Sequence, residues 1–306
     1  MVTSEKAHPE PGSDRQDIAY INGEFVPLHE ARISILDHAV LYGDGVFETL
    51  MAWNGRVFKL EEHMRRLSRS LAFVGIELPI PISQLQEVIV ETVRRNELRE
   101  AYIKCVVTRG ENGLPLLDPS GCKPSVIVLA VPYLSMAPAD RVQRGLRVKT
   151  TAIRRPRSDM LNAHVKSLNY LNLILARMEA KAAGADEALL LDAGGHVCEA
   201  PGYNVFVYFD GALRTPREDI LDGVTRSTVM DLARDMELTA LVEDLDLYHL
   251  YNADEVIFSS TAGGLLAVVS IDGHVIGSGT PGSVYAGLRN AYTELVSSAT
   301  DGTEVW

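Results

Sequence analysis

Only three of the 306 residues are cysteines: Cys105, Cys122 and Cys198. They are odd in number, far apart and in no CxxC pair, so neither a disulfide framework nor a zinc site is expected. Reduced thiols and a cytoplasmic location follow as the default. The eight histidines show no HExxH or comparable spacing. His63 follows Glu62 but has no second histidine one turn on, so it reads as a surface or core residue rather than a ligand, and no metal is expected. No segment approaches the ~20 apolar residues that span a bilayer. The opening stretch MVTSEKAHPEPGSDRQD lacks the apolar centre of a secretory signal. GxGxxG and GxxxxGK[ST] are both absent, which removes the sequence support for a Rossmann or P-loop nucleotide site. Positive charge is scarce: 29 Lys and Arg stand against 41 Asp and Glu, a net charge of −12. Such an acidic surface repels phosphate backbones, so neither a nucleic acid nor a membrane surface is an expected partner.

What is present is an ordinary globular composition, 46% apolar and 23% charged, over a length that fits two α/β-sized domains. Residues 1–17 read as a solvated tail. Asn22-Gly23 and Asn54-Gly55 each sit between short apolar runs, which predicts hairpins over 18–27 and 47–58. A helix is expected over 60–73, with Leu60, Met64, Leu67 and Leu71 on its apolar face and Arg65, Arg66 and Arg69 elsewhere. A second is expected over 83–96 with Ser83 as N-cap. Strands 101–108 and 125–131 close a first domain, 18–131. The run PYLSMAPAD over 132–140 has two prolines and no periodicity and reads as a linker. The second domain, 141–306, should hold strands at 146–153, 186–191, 239–243, 254–259 and 265–271. A hairpin over 196–214 and helices over 168–183, 225–236 and 282–296 complete it. Strands and helices of mixed order give an α/β or α+β fold, not a helical bundle.

Several residues carry chemical possibilities. Lys166, in NAHVKSLNYLNLILA, precedes a helix with apolar positions and has no acid within a turn. Burial would lower its pKa and expose the amine that Schiff-base chemistry needs. On spacing alone, a lysine snorkelling at a helix start fits better. Glu199, beside Pro201-Gly202, would suit a protonated ring nitrogen, yet alone it reads better as an edge-strand glutamate facing water. Gly223 followed by Thr225 at a helix start favours an anion, and the loop from Ser259 to Gly264 offers a possible anion nest. The stretch from Tyr42 to Gly45 suggests either close backbone approach or a plain hairpin entry.

Taken in order, LDHAVLYGDGVFE, FKLEEHMRRL, AYIKCVVTRG, VKSLNYLNLILA, ADEALLLD, CEAPGYNVF, LDGVTR and DEVIFSSTAGG resemble the class IV aminotransferases, the fold type IV pyridoxal phosphate enzymes. The resemblance spans about residues 18 to 296. It implies a small α/β sandwich domain beside a larger pseudo-barrel domain, pyridoxal 5'-phosphate as cofactor, an amine or amino acid donor with a 2-oxo acid acceptor, and a homodimer. It implies Lys166 as the Schiff-base lysine and proton shuttle, Glu199 on the pyridine nitrogen and Tyr170 on the ring hydroxyl. Arg66, Val224, Thr225 and Thr261 would contact the phosphate, and Asn204 and Ser260 would also bind the cofactor. The substrate pocket would hold Tyr42, Phe47, Met51, Tyr102, Lys104, Thr261, Ala262 and Gly263.

Within that family the chain is a hybrid. Branched-chain enzymes commonly read FEGIR and AYIR where this chain has FETLM and AYIK, so Met51 and Lys104 stand in place of arginines. EAPGYN, STAGG and Trp53-Asn54-Gly55 look like (R)-selective amine transaminases, whereas Tyr42-Gly43-Asp44-Gly45 and Tyr102 match branched-chain enzymes. With Met51, Trp53 and Phe47 as apolar lining, the expected donor is a hydrophobic (R)-amine or D-amino acid. The alternative is a branched-chain L-amino acid aminotransferase. An aminodeoxychorismate lyase and a non-catalytic binding protein rank below these.

Overall fold

Both Asn-Gly pairs form tight turns with positive φ at each residue: 48° and 105° at Asn22 and Gly23, 50° and 75° at Asn54 and Gly55. That backbone matches the right-handed twist of the strands it joins. In the computed structural model, which describes residues 17–135, 137–298 and 300–306, these turns connect β1 (Ile18–Ile21) to β2 (Glu24–Pro27) and β3 (Gly45–Trp53) to β4 (Arg56–Phe58). With β5 (Ala101–Glu111) and β6 (Lys123–Pro132) they build an antiparallel sheet. The chain's last strand, β16 (Gly302–Glu304), returns to pair with β4, giving the order β16-β4-β3-β5-β6-β1-β2. The tail expected over 1–17 lies outside the described residues apart from Asp17.

Between β2 and β3 comes the short α1 (His38–Tyr42), capped by the Asp37 side chain on the Ala39 N–H. Helices α2 (Leu60–Val74) and α3 (Ile82–Arg95) cover one face of the sheet. Leu60, Met64, Leu67 and Leu71 of α2 and Leu85, Ile89 and Val93 of α3 pack on Leu50, Ile103 and Val128. One expectation is corrected here. Ser83 lies inside α3, whose N-cap is Pro81. Arg66 is buried, because its guanidinium has a carboxylate inside to meet it.

After β6 the chain passes through α4 (Ala139–Arg144) into a larger mixed sheet. Its strands are β7 (Leu146–Thr150), β8 (Glu187–Leu189), β9 (Glu199–Ala200), β10 (Tyr203–Phe209), β11 (Ala212–Pro216), β12 (Ala240–Glu243), β13 (Glu255–Ser260), β14 (Gly264–Ile271) and β15 (His274–Val275). The order is β12-β11-β10-β13-β14-β7-β8, with β9 on β10 and β15 on β14. Three contacts are parallel, β11 with β12, β14 with β7 and β7 with β8. Helices α5 (Leu171–Ala182), α6 (Val224–Asp235), α7 (Leu247–Tyr251) and α8 (Ser283–Ser297) pack around it. The helix expected from 168 begins only at Leu171, because residues 166–168 pair instead with β3. No helix among the described residues is long and apolar enough to cross a membrane.

The sheets meet through an apolar cluster in which Met51 and Phe58 from the first pack against Phe206, Tyr285, Leu288 and Tyr292 from the second half. This packing fixes the two halves against one another and leaves a cleft along the N-terminal end of β3.

Candidate active site

The cleft is a cavity of about 320 Å3, at the lower end of the range for small-molecule sites. Its centre is Lys166. The Phe47 N–H donates to the Lys166 carbonyl at 2.9 Å, and the Leu168 N–H donates to the Gly45 carbonyl at 2.9 Å. A Cβ on Gly45 would lie 2.8 Å from Leu168 Cδ1 and 2.9 Å from the Val107 carbonyl, so only glycine allows this approach. The Lys166 N–H also donates to Ser70 Oγ at 3.2 Å. Backbone ladders rather than a flexible loop therefore aim the lysine, which sets its amine within narrow limits. Lys166 Nζ donates to the Tyr170 hydroxyl at 3.4 Å and stands 4.6 Å from the centre of the Phe47 ring. Burial, reinforced by the Arg66 charge and partly offset by Glu48 and Glu199, lowers its pKa to about 8. A much larger neutral fraction near neutral pH suits it to nucleophilic attack and proton transfer. Burial drives the Tyr170 hydroxyl upward, keeping it a donor.

One end of the cavity gathers groups that suit an anion. Arg66 Nε and Nη2 each donate to a Glu48 oxygen at 2.7 Å, and Nη1 donates to the Asp222 carbonyl at 2.9 Å. Burial alone would raise the Glu48 pKa, but the charge and hydrogen bonds of Arg66, with help from His63, hold it at about 2. His63, 2.8 Å from Glu48, is buried and is not a surface residue. The N-terminus of α6 brings Val224 and Thr225 to the same end, and Thr225 Oγ1 lies 3.5 Å from Thr261 Oγ1. Free N–H groups at a helix start favour an anion. Asn204 donates to the Leu221 carbonyl at 2.8 Å, and a Cβ on Gly223 would come within 2.0 Å of its Oδ1. The turn into α6 is thus held closed by a side chain that also lines the cavity.

Glu199 marks a second edge. It is buried, it lies opposite Asn204 in the β9–β10 pair, and it accepts the Leu221 N–H at 2.9 Å. Arg155 Nε is 3.0 Å from its other oxygen. The edge-strand alternative, a glutamate facing water, does not describe it. Arg155 and Leu221 escaped the sequence reading. The RRPR run that holds Arg155 has no periodicity to show which arginine turns inward.

The third edge carries Phe47, Tyr102, Lys104 and Ala262, all cavity-lining, with Thr49 added by the structure. Lys104 Nζ sits 3.8 Å over the Phe47 ring, the ring that Lys166 faces. Burial and the nearby Lys166 charge lower its pKa to about 8. The Ala262 carbonyl accepts the Tyr133 hydroxyl at 2.8 Å. Three expected pocket residues lie elsewhere. Met51 is a correction: it shares a strand face with Phe47 and Thr49 but lies beyond the cavity's end, 4% exposed in the apolar cluster between the halves. Tyr42 ends α1 and packs edge-on against His38, 5.1 Å between ring centres. Gly263 lies behind the wall, where an added Cβ would meet Tyr203 at 2.7 Å. Ser260 and Thr261 do line the cavity.

One lysine, one buried carboxylate and one arginine with a helix start, spread around a single cavity, fit the three recognisable parts of pyridoxal phosphate: aldehyde carbon, ring nitrogen and phosphate. The fold points the same way. The chain belongs to the class IV aminotransferases, pyridoxal-phosphate-dependent transferases, the family model matching residues 45–271. It is similar to the Methanocaldococcus jannaschii protein named "Putative branched-chain-amino-acid aminotransferase", 42% identical over 279 residues, 90% of this chain and 95% of that one. It is 33% identical to the branched-chain-amino-acid aminotransferase of Pseudomonas aeruginosa, over 96% of this chain and 97% of the relative. Among solved structures, the branched-chain aminotransferase from the thermophilic archaeon Thermoproteus uzoniensis with norvaline superposes with a TM-score of 0.88 at 33% identity, covering 94% of this chain and 99% of that one.

Proposed function

We propose that this aminotransferase moves the amino group between an L-amino acid with a branched apolar side chain and a 2-oxo acid. The observation that carries this reading is Lys104. It lines the cavity, and no carboxylate lies within ion-pair distance of its ammonium among the described residues. An unpaired cation turned into a cavity favours a substrate that brings its own carboxylate. A simple amine has none. Phe47, Leu161 and Val165 supply apolar lining for the side chain. The names of the similar proteins support the same substrate class. The (R)-amine and D-amino acid reading drew on Met51 as pocket lining, and that support falls away with Met51 in the core.

When bound, the cofactor supplies an electron-withdrawing ring. In this reading Lys166 links to it and carries the proton to and from the substrate carbon. Glu199 holds the ring nitrogen protonated, and Tyr170 donates to the ring hydroxyl. Arg66, Val224, Thr225 and Thr261 hold the phosphate, with Asn204 and Ser260 supporting that end. Phe47, Tyr102, Ala262 and Lys104 orient the substrate. We further propose a homodimer. Exposed Val40 and Leu41 on α1 adjoin exposed Leu171 and Ile174 on α5 through the Asn169–Gly43 hydrogen bond, an apolar area that a second copy would cover. The three free thiols suit a cytoplasmic setting.

Initial rates with L-leucine, D-alanine and (R)-1-phenylethylamine against 2-oxoglutarate test the substrate reading. L-Leucine is expected to be preferred by a wide margin. Preference for the amine would overturn this reading and restore the (R)-selective alternative. Turnover of a single substrate with no need for a 2-oxo acid would indicate a lyase.

A further inference from the structure

A second cavity of about 440 Å3 lies between α2 and α6, closed on one side by residues 162–165. Arg65, Arg69 and Phe73 succeed one another at four-residue intervals on α2 and form one wall. All three are exposed, Phe73 by 64%. Across the gap stand His164, Ser227 and Asp231. Each acid in the lining already has a cation: Glu62 with Lys59 at 3.5 Å, Asp222 with His164 at 3.2 Å, Asp231 with Arg234 at 2.8 Å. Arg65 and Arg69 have no carboxylate within ion-pair distance among the described residues. In a chain of net charge −12, two adjacent uncompensated guanidinium groups are a local reversal of the surface field. An exposed aromatic one turn beyond them adds a flat apolar face. Arg66, Asn162, Val165 and Val224 line both cavities, so this cleft abuts the active-site cavity where α2 and the start of α6 meet.

We propose that this cleft is a second ligand site, taking a small phosphate ester that carries a flat ring. Arg65 and Arg69 hold the phosphate, as paired guanidinium groups do well. Phe73 stacks on the ring. The class includes both a free cofactor vitamer and a mononucleotide.

The test uses holoenzyme whose cofactor has been fixed to the protein by borohydride reduction, so that the active-site phosphate position is filled. Calorimetric titration with phenyl phosphate should show one saturable site per chain, bound several-fold more tightly than inorganic phosphate. Arg65→Ala with Arg69→Ala should weaken phenyl phosphate by roughly tenfold or more. Phe73→Ala should reduce it to the affinity of inorganic phosphate. Transamination by the unreduced form of both variants should stay at the wild-type rate. Pyridoxamine 5'-phosphate and adenosine monophosphate, titrated separately, distinguish a vitamer from a nucleotide as the source. Absence of saturable binding by any of these esters, or binding unchanged in the double variant, overturns the proposal. Equal affinity for inorganic and phenyl phosphate removes the role of Phe73.

Discussion

At the end of the active site proposed to hold the phosphate, Arg66 has three fixed acceptors and Glu48 is held ionised inside the protein. At the opposite end, which we propose meets the substrate, Lys104 has an aromatic ring beneath it and, among the described residues, no acid within ion-pair distance. The first arrangement is fixed in advance, so a ligand there meets groups whose ordering costs little on binding. The second leaves a partly desolvated cation whose partner must arrive with each substrate and leave with each product. A permanent cofactor suits the first, and alternating amino and oxo acids suit the second.

This contrast orders the expected losses. Lys166→Ala removes the covalent link and the proton carrier together, so turnover should fall by at least ~10^4-fold, while the Arg66 end still binds cofactor. Equilibrium dialysis would show retained cofactor, and the visible absorbance of the lysine-linked form would be gone. Near-normal turnover would remove Lys166 from the centre of the site. Glu199→Gln should cost roughly 100- to 1000-fold in kcat with little change in stability, the size expected for a preorganised charge contact. An unfolded Glu199→Gln protein, or one with unchanged kcat, would make the Arg155–Glu199 pair purely structural.

Lys104→Met sharpens the comparison, because it should affect binding rather than chemistry. KM for the 2-oxo acid should rise by roughly tenfold or more for the lost charge-assisted contact, with kcat nearly unchanged. The pH dependence has a defined sign. With its pKa lowered to about 8, Lys104 is charged and attracts a carboxylate below that pH. Affinity should fall as pH rises through 8, and kcat/KM reports this free-enzyme group. In Lys104→Met that part of the pH profile should flatten. A profile identical to wild type would show that Lys104 does not meet the substrate.

Much of this layout was legible in the sequence, and the failures share a cause. The Asn-Gly hairpins, the apolar face of α2 and the order of the site motifs depend on local spacing, and the observed elements match them closely. The resemblance brought Lys166, Glu199 and Arg66 together, where spacing alone favoured a snorkelling lysine and a surface glutamate. Long-range packing was not legible. Nothing local shows that Arg155 turns onto Glu199, that β16 returns across the whole chain to β4, or that 166–168 pair with β3 and delay the start of α5. The α/β interior also misled at β3, where three alternate residues share a face but the cavity ends after the second.

Met51 is the residue on which that distinction can be measured, and it carries the smallest expected effect on catalysis. It shares with Phe58, Phe206, Tyr285 and Tyr292 the apolar cluster between the two halves, so its role is volume rather than recognition. Met51→Leu nearly conserves volume and should cost less than about 1.5 kcal/mol of stability. Met51→Ala opens a hole that its ring neighbours cannot all close, and should cost about 2–5 kcal/mol. Neither change should alter the ratio of kcat/KM for L-leucine over (R)-1-phenylethylamine at a temperature where both variants stay folded. Urea unfolding followed alongside the two rates separates the effects. If Met51→Leu shifts the substrate ratio by more than a few-fold while its unfolding midpoint stays put, Met51 reaches the substrate after all, and the boundary drawn between cavity and core along β3 is misplaced by one residue pair.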